Sequence, residues 1–213
     1  MFDWIRHLID FILHIDVHLD EIIRSYGAWT YGILFLIVFV ETGLVIMPFL
    51  PGDSLLFAAG AFAAKGSLNV ASVILLLIAA AVIGDNVNYF VGRTLGRREK
   101  GIPLVKQEYL ERTQAFYDKH GGKTLILARF MPIIRTFAPF VAGVGLMRYR
   151  KFLAYSVAGG TAWVSLMTMS GYLFGGIPWI EEHFSVVVIA IVLISVMPAV
   201  IGLVRSKLRA RGA

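Results

Sequence analysis

The sequence predicts an all-α, polytopic membrane protein with two opposed re-entrant helical hairpins in an inverted repeat, plus transmembrane helices. Three observations predict it. The chain is 58% hydrophobic and only 16% charged, with a mean hydropathy of +0.75, where a soluble domain carries about 25% charged residues. Its Lys and Arg residues gather beside long apolar stretches. Two of those stretches are interrupted by Pro, Gly and ionisable residues, where an unbroken span would have none.

The elements follow in order. Residues 1–27 place polar side chains at 3, 6, 7, 10, 14, 18, 21 and 24. That helical spacing leaves one apolar face and predicts an amphipathic helix lying at the membrane interface. The start MFDWIRHLIDFILHID lacks the basic and uninterrupted apolar regions of a signal peptide. His14 and His18 lie four residues apart without an HExxH pattern, so they read as polar face and not as a metal site.

Residues 28–64 form the first predicted hairpin. Glu41, Pro48, Pro51, Gly52 and Asp53 interrupt it. Each arm is short: about 14 residues before Glu41 and about 11 after Asp53, or roughly 21 and 17 Å, against about 30 Å of hydrocarbon. Residues 70–92 are long enough to span. Residues 93–123 are a basic loop expected to hold a short amphipathic helix. Residues 124–147 contain Arg129, Pro132, Arg135 and Pro139, and basic clusters flank both ends. Proline breaks helices, so this stretch is expected to dip in and return as a second hairpin. Residues 152–174 and 184–204 are predicted spans, and 205–213 are a basic tail.

Charge orients the chain. Of 20 Lys and Arg residues, 8 lie from Arg93 to Lys123, 3 from Arg148 to Lys151 and 4 in the tail. This positive-inside pattern places all three stretches, and the C-terminus, in the cytoplasm. The turn 175–183 has no Lys or Arg and should lie outside. The net charge of +6 is thereby explained without nucleic acid as a partner. The first hairpin then enters from outside and the second from inside, the sequence trace of an inverted repeat. Trp4, Trp29 and Trp179 fall near span ends as interfacial anchors, whereas Trp163 reads as packing.

Four ionisable side chains sit at the two breaks: Glu41 and Asp53, Arg129 and Arg135. An intramembrane charge costs about 3 kcal/mol on insertion scales, so such residues line a wet cavity or pair inside the protein. Buried ion pairs fastening hairpin to hairpin would account for them. The functional alternative uses two chemistries. Arginine stays charged and offers a fork of donors that matches phosphate oxygens. A carboxylate in low dielectric favours its neutral form and can carry a proton. Arg129 and Arg135 are therefore expected to bind an anion, with Glu41 and Asp53 coupling its movement to protons. An anion site also needs space. Arginines locked onto protein acids, with no opening for a phosphate, would leave only architecture.

A softer group follows. In GDNVNYFVGRTLG, Gly84, Asn88 and Gly92 are spaced by four, which allows close helix packing. Asp85, Asn88 and Arg93 form a possible secondary polar site, with Asp85 as a relay if it is not simply bonded across helices. The sequence holds no cysteine, no P-loop and no Ser-His-Asp grouping. No enzyme activity, metal or bound cofactor is expected.

ETGLVIMPFLPGDSLLFAAG, GDNVNYFVGRTLG and RFMPIIRTFAPFVAG resemble the DedA family of bacterial inner-membrane proteins, which is related to the eukaryotic VTT-domain lipid scramblases. The resemblance covers roughly residues 28–175. It implies facing re-entrant hairpins in an inverted repeat. It also implies return of undecaprenyl phosphate, the lipid carrier of cell-wall precursors, to the cytoplasmic leaflet, with proton coupling driven by the proton motive force. The family's essential acids fall by position on Glu41 and Asp53, and its essential arginines on Arg129 and Arg135. The residues themselves support only an anion. Two other classes stay open: a proton-linked transporter of small cations or drugs, and a non-transport membrane scaffold for the envelope.

Overall fold

Charged side chains buried at the breaks and large apolar side chains exposed on the outside mark this molecule. The computed structural model of the chain describes residues 15–44, 52–96, 122–195 and 197. Among the described residues every regular element is helical: α1 (Ile15–Tyr26), α2 (Trp29–Gly43), α3 (Gly52–Ala64), α4 (Val70–Gly96), α5 (Lys123–Ala128), α6 (Pro132–Val144), α7 (Tyr149–Phe174), α8 (Pro178–Glu182) and α9 (Phe184–Ser195). Leu75, Leu127, Leu173 and Ile194 are all more than 60% exposed, while Glu41, Asp85, Arg129 and Arg135 are each below 5%. Water would reverse that pattern. A hydrocarbon solvent explains it.

Helices α4 and α7 are long and apolar enough to cross a membrane. Their 27 and 26 residues span about 40 Å each. The arms at the two breaks stay short. Helix α2 has 15 residues and α3 has 13, and α5 has 6 and α6 has 13. Pro132 opens α6 at its first turn after an extended Met131, the helical position where a missing N–H does no harm. Pro139 lies inside α6 and is buried. Pro48 and Pro51, also read as breakers, lie outside the described residues. So do 97–121, with their expected helix, and the basic tail.

The halves pack by exchange. The second arm of each pair lies on the long helix of the other half: α3 on α7, and α6 on α4. The contacts are reciprocal and made by glycine against backbone. A Cβ on Gly60 would strike the carbonyl oxygen of Thr168, and one on Gly171 would strike that of Phe57. In the other half, a Cβ on Gly143 would strike the carbonyl of Tyr89, and one on Gly92 that of Phe140. Each helix contributes two residues three apart. Small residues at these points let backbones approach closely, which is how helices associate without a hydrophobic driving force.

Two links mark the molecule's ends. Lys65, in the α3–α4 turn, pairs with Glu181 of α8 at 2.5 Å. Arg93, in the last turn of α4, bonds the Met147 carbonyl at 3.2 Å. The first link lies at the 175–183 turn, which charge patterning assigns outside. The second joins two segments assigned to the cytoplasm.

The N-terminal helix α1 packs on α2 and α3. The apolar face of α1 is covered by protein, with Ile15 and Leu19 buried in the core. They line a small space shared with Leu34, Ile37 and Leu55. The short first pair of helices leaves an apolar flank, and α1 closes it. Gly27, at φ +51°, turns the chain sharply from α1 into α2. Residues 1–14 lie outside the description.

Candidate functional site: a buried two-arginine cluster

Both breaks bring their charges to one place between α4 and α7. Glu41 sits in the last turn of α2, and Asp53 in the first turn of α3. Arg129 closes α5, and Arg135 lies in the first turn of α6. Arg135 reaches into the other half of the molecule. Its Nη2 donates to Glu41 Oε1 at 2.5 Å and its Nη1 to Asp53 Oδ1 at 2.7 Å. The same Glu41 oxygen accepts the Gly52 N–H at 3.2 Å. A Cβ on Gly52 would run into that carboxylate, so this glycine lets the α3 N-terminus close on Glu41.

Arg129 does not join them. The expectation that two acids at one break face two arginines at the other holds only for Arg135. Arg129 pairs with Asp85 of α4, whose Oδ2 also accepts the Ser156 hydroxyl at 2.6 Å. The geometric reason is reach. Arg129 precedes α6 and lies beside α7, where Gly159 and Gly160 leave room for its side chain. A Cβ on Gly159 would stand 3.3 Å from Arg129 Cδ.

The secondary group therefore divides. Asp85 and Asn88 belong to the main cluster, while Arg93 lies apart with Tyr89 and the Met147 carbonyl. Asn88 donates to the carbonyl of Thr136 at 2.7 Å and more weakly to that of Thr42 at 3.4 Å. Those residues follow Arg135 and Glu41, so one amide fastens the backbone beside both.

Two members went unread in the sequence. The Trp163 indole donates to Asp53 Oδ1 at 2.7 Å, and its ring lies 4.4 Å from the Arg135 guanidinium and 5.9 Å from that of Arg129. Ser156 lies seven residues earlier on α7, two helical turns away on the same face. That spacing, around a Gly-Gly pair in mid-span, was the available signal.

The cluster is densely paired but not complete. Arg129 Nη1, Arg135 Nε and Glu41 Oε2 are buried without a hydrogen-bond partner. Both arginines border one enclosed space, shared with Asp85, Phe152, Pro139 and Ser156. It has room for about one water molecule. In this conformation the arginines are held by protein acids, and that space does not admit a phosphate. Among the described residues no group of His, Asp or Glu is arranged to hold a metal.

Helices that bury charge and expose leucine, joined by paired short helices, define a polytopic membrane protein of the DedA class. The VTT domain matches residues 50–173. Over 210 residues, 96% of each chain, the sequence is 53% identical to Protein DedA of Escherichia coli K12. It is 41% identical to the uncharacterized membrane protein Rv0364 of Mycobacterium tuberculosis over 185 residues, 84% of this chain and 81% of that one. It is 34% identical to inner membrane protein YghB of E. coli K12 over 177 residues, 82% and 78% of the two chains. The chain belongs to the DedA family of VTT-domain membrane proteins. No solved structure matches it.

Proposed function

We propose that this chain is a proton-coupled flippase that returns undecaprenyl phosphate across the cytoplasmic membrane of a bacterium. One observation carries the reading. Two buried guanidiniums from one broken segment border a single space, and each keeps an N–H that no protein acceptor takes. Unused donors on paired arginines suit the several oxygens of a phosphate. Glu41 and Asp53 occupy Arg135 in the resting state and free it by taking protons. The proton motive force drives the cycle without a bound cofactor, and no covalent chemistry is performed.

In this reading the short pairs α2–α3 and α5–α6 are re-entrant hairpins entering from opposite faces, with the C-terminus in the cytoplasm. The phosphate crosses between them while the polyprenyl tail stays in lipid. The family resemblance supports the lipid; the cluster supports the anion.

One observation favours a purely architectural role: both arginines are paired, and the space between them is small. The flippase reading therefore requires an opened state. A polyprenyl phosphate with a photoreactive group beside its phosphate tests for it. It should label residues lining the arginine space, and undecaprenyl phosphate should block the labelling where undecaprenol does not. Labelling confined to the lipid-facing surface would favour architecture.

A further inference from the structure

The two arginines are neutralised differently. Arg135 lies between two carboxylates, while Arg129 has one, Asp85. The donors on Asp85 are informative. Its Oδ2 accepts from a guanidinium and from the Ser156 hydroxyl. A phosphate oxygen would take the same donor set. The space beside this oxygen is the one that both arginines share, and the unused Nη1 belongs to the same Arg129.

We infer that Asp85 is a built-in stand-in for the transported anion: it fills the headgroup position on Arg129 and Ser156, and yields that position by taking a proton. This rests on the flippase reading and deepens it by adding a third coupling acid. No covalent bond forms. The proton comes from water at the face where the phosphate enters and is released at the opposite face when the phosphate leaves.

Charge balance supports the step. The charged groups facing Asp85 among the described residues are Glu41 from α2, Asp53 from α3, Arg129 after α5 and Arg135 from α6. Helix α7 adds only the neutral Ser156 and Trp163 at the cluster. Three carboxylates thus oppose two guanidiniums, a surplus of one negative charge if all are ionised. A phosphate adds at least one more, in surroundings where unpaired charge is costly. A proton on Asp85 frees Arg129 and removes a negative charge at once.

Purified full-length protein in detergent provides the test. The affinity of farnesyl phosphate is measured from acid to mildly alkaline pH, with farnesol and inorganic phosphate as comparison arms. Proton uptake on binding is measured in parallel. In the wild type, binding should weaken as pH rises and should take up protons. Asp85→Asn should bind at least about tenfold more tightly at the alkaline end, and its slope against pH should fall by about one proton. A merely structural Asp85 would lower stability and leave the slope alone. Asp85→Ser is the second variant should the amide fail to fold.

Wild-type binding without proton uptake, or neutral variants with an unchanged slope, would overturn the inference and leave the flippase reading standing. Absence of phosphate-specific binding in every protein would overturn both. Inorganic phosphate reproducing the whole effect would support the stand-in role and assign the site to free phosphate.

Discussion

The Trp163 indole donates to Asp53 at 2.7 Å, tying the middle of α7 to the first turn of α3. The same ring lies against the Arg135 guanidinium at 4.4 Å. One side chain therefore steadies both members of an ion pair between α3 and α6. Trp163→Phe keeps the ring face and removes the N–H. It should cost about 1 kcal/mol of stability and slow transport. Trp163→Leu removes the cation–π contact as well, worth about 0.5–2 kcal/mol more. Thermal unfolding and translocation rates of the two variants separate the contributions.

Asn88→Ala should act without removing any charge. It removes the 2.7 Å bond from the Asn88 amide to the Thr136 carbonyl, at a cost of about 0.5–1.5 kcal/mol. The backbone beside Arg135 loosens with it. Transport at equal folded amounts should fall although all four break residues are intact. An unchanged rate would mean that Asn88 only packs.

Arg135→Lys should fold and fail. The guanidinium presents separate N–H groups to Glu41 and Asp53, which arrive from different helices, and a single ammonium does not reproduce that fork. Translocation should drop at least about tenfold. Full activity would show that charge alone suffices at this position.

The reciprocal glycines give a matched pair of variants. Gly60→Ala and Gly143→Ala each drive a methyl into a backbone carbonyl of the opposite half, so each should destabilise by about 1–3 kcal/mol. The two effects should be similar if the halves are equivalent. Gly32, in α2, has nothing within 4 Å of its Cβ position. Gly32→Ala should stabilise by up to about 1 kcal/mol through helix propensity. Melting temperatures of the three variants check both statements.

The sequence made the four break charges legible because each violates the cost of placing charge in hydrocarbon. The breaks themselves were legible from proline. Partnership was not: whether Asp53 or Asp85 meets Arg129 depends on which side of α7 the α5 end rests, and no spacing encodes that. Asp85 was obscured by the regular Gly84, Asn88 and Gly92, which read as packing and do pack. In α7 a single serine and a single tryptophan are ordinary in an apolar span, so only their shared face marked them. The exchange of glycine contacts left almost no trace because each contact uses the partner's backbone, which any side chain supplies. The apolar stripe of α1 was visible and read as membrane-facing, but an interface and a protein flank are equally apolar, so the packing of Ile15 and Leu19 in the core was not legible.

The central claim is that Arg129 and Arg135 give up their carboxylates to a lipid phosphate and carry it between leaflets. Its most direct test places a fluorescent polyprenyl phosphate in one leaflet of sealed liposomes holding the full-length protein, and follows its arrival in the other. The account predicts translocation well above that of protein-free liposomes and faster with a pH gradient. Arg129→Ala and Arg135→Ala should reduce it to background at equal folded amounts. Glu41→Gln and Asp53→Asn should abolish the gradient's effect. Translocation by the wild type no faster than in protein-free liposomes, with or without the gradient, would contradict it.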